Sequence, residues 1–122
     1  MQAVLETHAF HRAARDLGLT EEDRIRIVTI LAENPTAGDL IPGTGGARKL
    51  RYAPAGRGKS GAYRVITYFG GEDVPVFLLD IYGKGEKINL SQAEKNELRK
   101  ILGGIAEDWR QSVRRSVVEK RP

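Results

Sequence analysis

An apolar run, VFLLDIY within residues 74–82, limits the possible folds more than any other stretch of the chain. Seven residues with a single charge are typical of a central strand that is covered on both faces. Two more strands are predicted before it, one at Lys49–Ala53, where charged and apolar residues alternate, and one at Ala62–Phe69. Turn-rich connections separate the three strands. The pattern therefore predicts an antiparallel meander.

Two helices are predicted ahead of the meander. Thr7 is a typical N-cap for a helix that continues through Leu17 with apolar residues at helical spacing. Thr20 with Asp23 three residues later predicts the start of a second helix, which ends at Asn34 because a proline follows. The short connection makes these helices a hairpin, whose apolar stripes need a sheet to cover them.

The remaining segments complete an α+β prediction. Gln2–Glu6 is a candidate edge strand, residues 37–46 are rich in turn formers and predict a loop, and Ser91 with Glu94 predicts a capped helix. We expect a domain at residues 1–103, with the helical hairpin packed on an antiparallel sheet and followed by a C-terminal helix. Residues 104–122 are expected to form a helical extension or a frayed tail.

Composition excludes several classes of function. The 122 residues contain no cysteine, so disulfides, thiolate metal sites and cysteine nucleophiles are excluded. Two histidines and no evident carboxylate cluster argue against a metal site, and we expect no metal and no cofactor. The first residues have no export leader, and no window is apolar enough to span a membrane. A cytoplasmic protein is therefore expected.

Positive charge is concentrated in one segment, GGARKLRYAPAGRGKSGAYRVITYF. No acid occurs between Asp39 and Glu72, although the chain as a whole carries a net charge of only +4. Unpaired cations repel one another, so such a segment favours a polyanionic partner, most plausibly nucleic acid. The alternative is a half-exposed sheet with solvated charges. The cations concerned are Arg48, Lys49, Arg51, Arg57, Lys59 and Arg64.

Cleavage of RNA without a metal needs a base for the 2′-hydroxyl proton, cations for the phosphate and an acid for the leaving oxygen. His8 and His11 fall on the first predicted helix, where a helix-face or capping role is more common. A lysine can act as the base where neighbouring cations and partial burial lower its pKa, and Lys49 fits that description best. Arg51 and Arg64 stay charged and can hold a phosphate.

Basic residues also follow the apolar strand, in the segment IYGKGEKINLS. Lys84 and Lys87 lie there beside glycines that let the chain turn close to a ligand. Tyr82 has two equally weighted roles, because a tyrosine at a strand end can stack on a base or be half-buried in the core. Glu86 is the one nearby acid.

The motifs GGARKLR, GRGKSGAYRVITY and VFLLDIYGKGEK together resemble the RelE/ParE superfamily of bacterial toxins, and within it the RelE-like and HigB-like branch. The resemblance covers about residues 20–102. It implies a small α+β toxin of a type II toxin-antitoxin system, held inactive by a cognate antitoxin. It also implies a metal-independent endoribonuclease, an mRNA interferase that enters the ribosome and cuts messenger RNA. Operator DNA would be bound only through the antitoxin complex.

The resemblance also implies a set of site residues. The predicted catalytic residues are Lys49, Arg51, Arg64, Lys84 and Lys87, and the predicted RNA-binding residues are Arg48, Arg57, Lys59 and Tyr82. The chain departs from the pattern at Gly85, where relatives carry a basic residue, and it lacks a tyrosine farther on. Two alternatives share the fold: a ParE-like inhibitor of DNA gyrase, which generally lacks the basic set, and a module that binds nucleic acid without cutting it.

Overall fold

A mixed five-stranded sheet forms the centre of the protein, with strands in the order β1-β5-β4-β3-β2. The computed structural model describes residues 1–54, 62–83 and 89–119, the last four of these by their backbone only. The elements in chain order are β1 (Val4–Glu6), α1 (His8–Asp16), α2 (Glu21–Glu33), β2 (Asp39–Leu40), β3 (Arg48–Tyr52), β4 (Tyr63–Tyr68), β5 (Val76–Gly83), α3 (Gln92–Leu102) and α4 (Ile105–Glu119).

The predicted meander is confirmed. Strands β3, β4 and β5 pair antiparallel, and Leu50 lies opposite Val65, which in turn lies opposite Ile81. The edge strand predicted at the N-terminus is also confirmed, but it pairs in parallel with β5. A parallel pair needs a crossover, which α1, α2 and the strands after them provide. The sheet is therefore mixed rather than purely antiparallel.

A second difference from prediction is strand β2, which forms inside the segment predicted as a loop. Its Asp39 pairs with Lys49 of β3. Gly38 makes this approach possible: a Cβ there would lie 2.6 Å from the carbonyl oxygen of Lys49, and its φ of +93° also favours glycine. A two-residue strand carries too little periodicity to be recognised from sequence.

Helices α1 and α2 cover one face of the sheet, as predicted. The Thr7 hydroxyl accepts from the N–H of Phe10, and Thr20 and Asp23 form the predicted capping box of α2. The core on this face joins apolar residues of both helices to inward-facing residues of three strands. Its buried members include Phe10, Ala14, Ile27, Leu31, Val65, Val76 and Leu78.

Helices α3 and α4 pack on the opposite face. The capping box predicted at Ser91 and Glu94 is present at the start of α3. Residues 105–119 form a helix whose Trp109 ring meets Phe77 edge-on, with ring centroids 6.3 Å apart. The next residue of this helix, Arg110, donates from Nη2 to Asp73 Oδ1 at 2.9 Å and so also links the helix to the segment before β5. None of the helices described combines the length and the apolar character needed to cross a bilayer.

Candidate RNA-binding face

The two predicted arginines of the meander lie side by side. Arg51 of β3 is the direct register partner of Arg64 of β4, and Arg64 is in turn the partner of Tyr82 in β5. Residues directly opposite in an antiparallel pair project from the same face of the sheet, on strands about 4.8 Å apart. The three side chains therefore form one row across the sheet, on the face where α3 and α4 pack.

Within the described residues, Arg64 has one donor in this row that lacks a partner. Its Nη1 is buried and has no hydrogen-bond partner within residues 1–54, 62–83 and 89–119. A buried charged donor that lacks a partner carries a desolvation penalty of about 1–3 kcal/mol or more. A bound anion with oxygen acceptors would remove that penalty, so the guanidinium is suited to holding a phosphate.

Lys49 lies one row farther along the same face, two residues before Arg51 on β3. Its ammonium donates to the side-chain oxygen of Asn89 at 3.2 Å. Asn89 precedes α3, so this contact ties the lysine to the segment that follows β5. The structure thus brings Lys49, Arg51 and Arg64 onto one face, as the alternation predicts.

Two acids from outside the cationic segment, Asp39 and Asp80, also lie on this face. Asp39 is the register partner of Lys49, and Lys49 lies opposite Ile66, which lies opposite Asp80. The row containing Lys49 is therefore flanked by a carboxylate on each side, although the cationic segment itself contains none. The sequence pattern indicates neither acid on this face, because β2 is too short to be predicted and Asp80 lies in an otherwise apolar strand.

The other predicted binding residues occupy different environments. Arg48 projects from the face opposite to Lys49 and donates from Nη1 to the carbonyl of Gly38 at 3.1 Å, so the structure does not bring it to the arginine row. Tyr82 is only 2% exposed and packs with Ile66 in the core beneath α3. Its buried ring therefore has no open surface on which a base could stack.

Four predicted site residues lie outside the described residues: Arg57, Lys59, Lys84 and Lys87. His8 and His11 are exposed on α1, which packs on the far face of the sheet. The part of the chain that is described holds no group of three His, Cys, Asp or Glu side chains suited to a metal ion.

A buried polar cluster fixes the β3 strand to the helical hairpin. The Tyr52 hydroxyl donates to Asp23 Oδ1 at 2.8 Å, and the N–H and hydroxyl of Thr20 each donate to Oδ2 at 3.0 Å. Burial alone would raise the pKa of Asp23, but these hydrogen bonds and Arg26 outweigh it and hold the pKa below its usual value. Tyr52 follows Arg51 directly, so the cluster also holds the end of the strand that carries Lys49 and Arg51.

The family model for the RelE toxin of the RelE/RelB toxin-antitoxin system matches residues 2–121. The chain belongs to the RelE toxin family. This protein is therefore a toxin of a toxin-antitoxin system, and its family implies an antitoxin as partner. The match extends through the helix α4, beyond the motifs on which the resemblance rests.

Among solved structures, the chain is similar to a mutant of the E. coli toxin RelE in the free state. The two share 16% sequence identity, and the match covers 66% of this chain and 80% of that chain with a TM-score of 0.45. The α+β class and the membership in the RelE/ParE superfamily are both confirmed.

Proposed function

We propose that this RelE-family toxin is an mRNA interferase of the RelE-like and HigB-like branch, which cuts messenger RNA on the ribosome without a metal ion. The observation that carries the proposal is the buried Nη1 of Arg64, which has no hydrogen-bond partner among the described residues and lies beside Arg51. Two guanidinium groups in direct register match the oxygens of one phosphate, and Lys49 lies two residues from Arg51 on the same face. The site of action on the ribosome would be in the cytoplasm.

Each residue has a role in the proposed cleavage. The amine of Lys49 takes the proton from the 2′-hydroxyl, and the 2′-oxygen attacks the adjacent phosphorus. Arg51 and Arg64 hold the non-bridging oxygens as negative charge builds up on them. The bond from phosphorus to the 5′-oxygen breaks, leaving a 2′,3′-cyclic phosphate and a 5′-hydroxyl. Lys84 or Lys87 supplies the proton to that leaving oxygen.

Inhibition by the antitoxin would follow from the same geometry. A partner that covers the face bearing Lys49 and Arg64, or displaces either side chain, would deny the message access to the phosphate site. Operator DNA would be bound by the complex through the antitoxin alone.

Purified protein added to translating ribosomes provides the test, with cut sites mapped by primer extension. We expect cuts within the A-site codon for the wild type and none for Lys49→Ala or Arg64→Ala. Arg48→Ala is the matched control, because it removes a cation from the same strand but from the other face, and it should still cut. Intact message together with inhibition of gyrase supercoiling would instead identify a ParE-like toxin.

Expression in cells tests the toxin and its antitoxin together. Induction of the wild type should arrest growth, and co-expression of a short neighbouring DNA-binding protein should relieve the arrest. Lys49→Ala and Arg64→Ala cells should grow normally. Arrest that persists in both variants would contradict the roles assigned to this face.

A further inference from the structure

A cavity of about 270 Å³ lies beside Lys49, on the side of β3 away from Arg64. Its polar lining consists of Asp39, Lys49, Asn89 and Lys95. Lys49 therefore lines the cavity and also lies next to the row formed by Arg51 and Arg64. Asp39 and Arg64 lie two strands apart, and Arg64 is offset by two residues from Ile66, the residue opposite Lys49, so the two positions are about 12 Å apart.

The rest of the cavity wall is apolar. Ile41 and Pro42 line it next to β2, Leu90 lines it next to α3, and Leu40 is 59% exposed at its edge. A flat aromatic ring can be covered by such side chains while its polar edge meets the carboxylate, amide and ammonium groups. Single-stranded RNA is recognised in this way, through packing against base faces and hydrogen bonds to base edges.

The polar groups have a definite donor and acceptor pattern. The Asp39 carboxylate only accepts hydrogen bonds, and the Lys95 ammonium only donates them. Asn89 uses its oxygen to accept from Lys49, which leaves its NH₂ group as a donor toward the cavity. Guanine alone among the bases presents two adjacent N–H donors, N1 and N2, next to an acceptor, O6. A carboxylate accepts both donors while an ammonium or amide donates to O6.

We propose that this cavity is a base-specificity subsite that binds guanine in a nucleotide flanking the scissile phosphate. Asp39 accepts from N1 and N2 of the base, and Lys95 and Asn89 donate to O6. The subsite rests on the proposed ribonuclease function and adds sequence preference to it. Asp39, which no motif singled out, becomes its specificity-determining residue.

Replacing guanosine by inosine tests the contact between Asp39 and the N2 amino group, because inosine lacks only that group. Ribosomes are programmed with messages that carry guanosine or inosine at each position of the A-site codon, and cleavage rates are measured in single turnovers. We expect the wild type to prefer guanosine by about tenfold at one position. Asp39→Asn should reduce that ratio to near one, and Lys95→Gln should lower the rate for guanosine and inosine alike at that position.

Asp16→Asn and Lys100→Gln are the matched controls. They make the same chemical changes at exposed helix positions away from the cavity, and they should keep the wild-type ratio. An unchanged ratio in Asp39→Asn, or an equal loss for every codon, would overturn the subsite while leaving the ribonuclease function intact. A wild type that cuts no message would overturn both.

Discussion

Arg51 and Arg64 lie directly opposite each other in the register of β3 and β4. Like charges at directly opposed positions destabilise a sheet. The Nη1 of Arg64 adds to this cost because it is buried and lacks a hydrogen-bond partner in the described residues. Repulsion and a buried donor without a partner both lower the stability of the free protein. Such destabilising features are typical of a functional site, where ligand binding offsets them.

The first prediction concerns Arg64 itself. Arg64→Met keeps the length of the side chain but removes the buried donor and the repulsion, so the free energy of unfolding should stay the same or rise. Cleavage should fall by about 100-fold or more, because a group that binds the transition-state charge is lost. Urea denaturation and single-turnover cleavage measure the two effects. A variant that loses cleavage only because its free energy of unfolding has fallen would show that the arginine is structural.

The second prediction separates Lys49 from the residue that orients it. Lys49→Met should abolish cleavage, because no other group on the described face replaces its amine. Asn89→Ala should cut roughly tenfold more slowly, since one orienting hydrogen bond is lost and the amine is kept. On a message without guanosine in the A-site codon, Asn89→Asp retains an oxygen acceptor for Lys49 and should recover most of the rate. Equal losses in Asn89→Ala and Asn89→Asp would contradict the orienting role.

The third prediction concerns the link between Tyr52 and Asp23. Tyr52→Phe should lower the free energy of unfolding by about 2 kcal/mol, because a buried carboxylate loses a hydrogen bond. Thr20→Ala should cost about 1 kcal/mol through loss of the helix cap. A double-mutant cycle with Asp23→Asn measures the coupling between Tyr52 and the charge. Additive losses in the cycle would show that the two side chains do not interact.

The fourth prediction is the pH dependence of stability. The pKa of Asp23 is lowered in the folded state, so the unfolded chain binds its proton more readily. The stabilisation is therefore fully present above the ordinary aspartate pKa of about 3.9, and it is lost as the pH falls from there through the folded value. Asp23→Asn should flatten the acid limb of a plot of unfolding free energy against pH. An unchanged acid limb would assign the acid sensitivity to other carboxyl groups.

The fifth prediction concerns the C-terminal helix. Trp109 packs on Phe77 of the central strand, and Ile105 and Ala106 also contact that core. Trp109→Ala should lower the free energy of unfolding by about 3 kcal/mol. Removal of residues 104–122 should expose the core and lower solubility. A truncated chain that folds with unchanged stability would support a toxin domain that ends at residue 103, a division that stays a prediction.

Much of the fold was determined by local sequence signals. Alternation in β3 and the capping pairs at Thr20 and Ser91 act over a few residues, so their spacing alone predicts the element. The placement of Lys49 and Arg51 on one face follows from the same period of two. Thus the meander, the helical hairpin and the membership in the RelE family were all accessible from the sequence.

Tertiary structure decided which distant residues meet. The strand register places Arg64 opposite Arg51 and brings Asp39 beside Lys49. It also buries Tyr82 and forms the cavity beside Asn89. Register depends on how two faces of the sheet are covered and on the close approach at Gly38, which are long-range effects. Periodicity therefore predicted the elements, whereas the chemistry of the face depended on which residues the strand register places opposite each other.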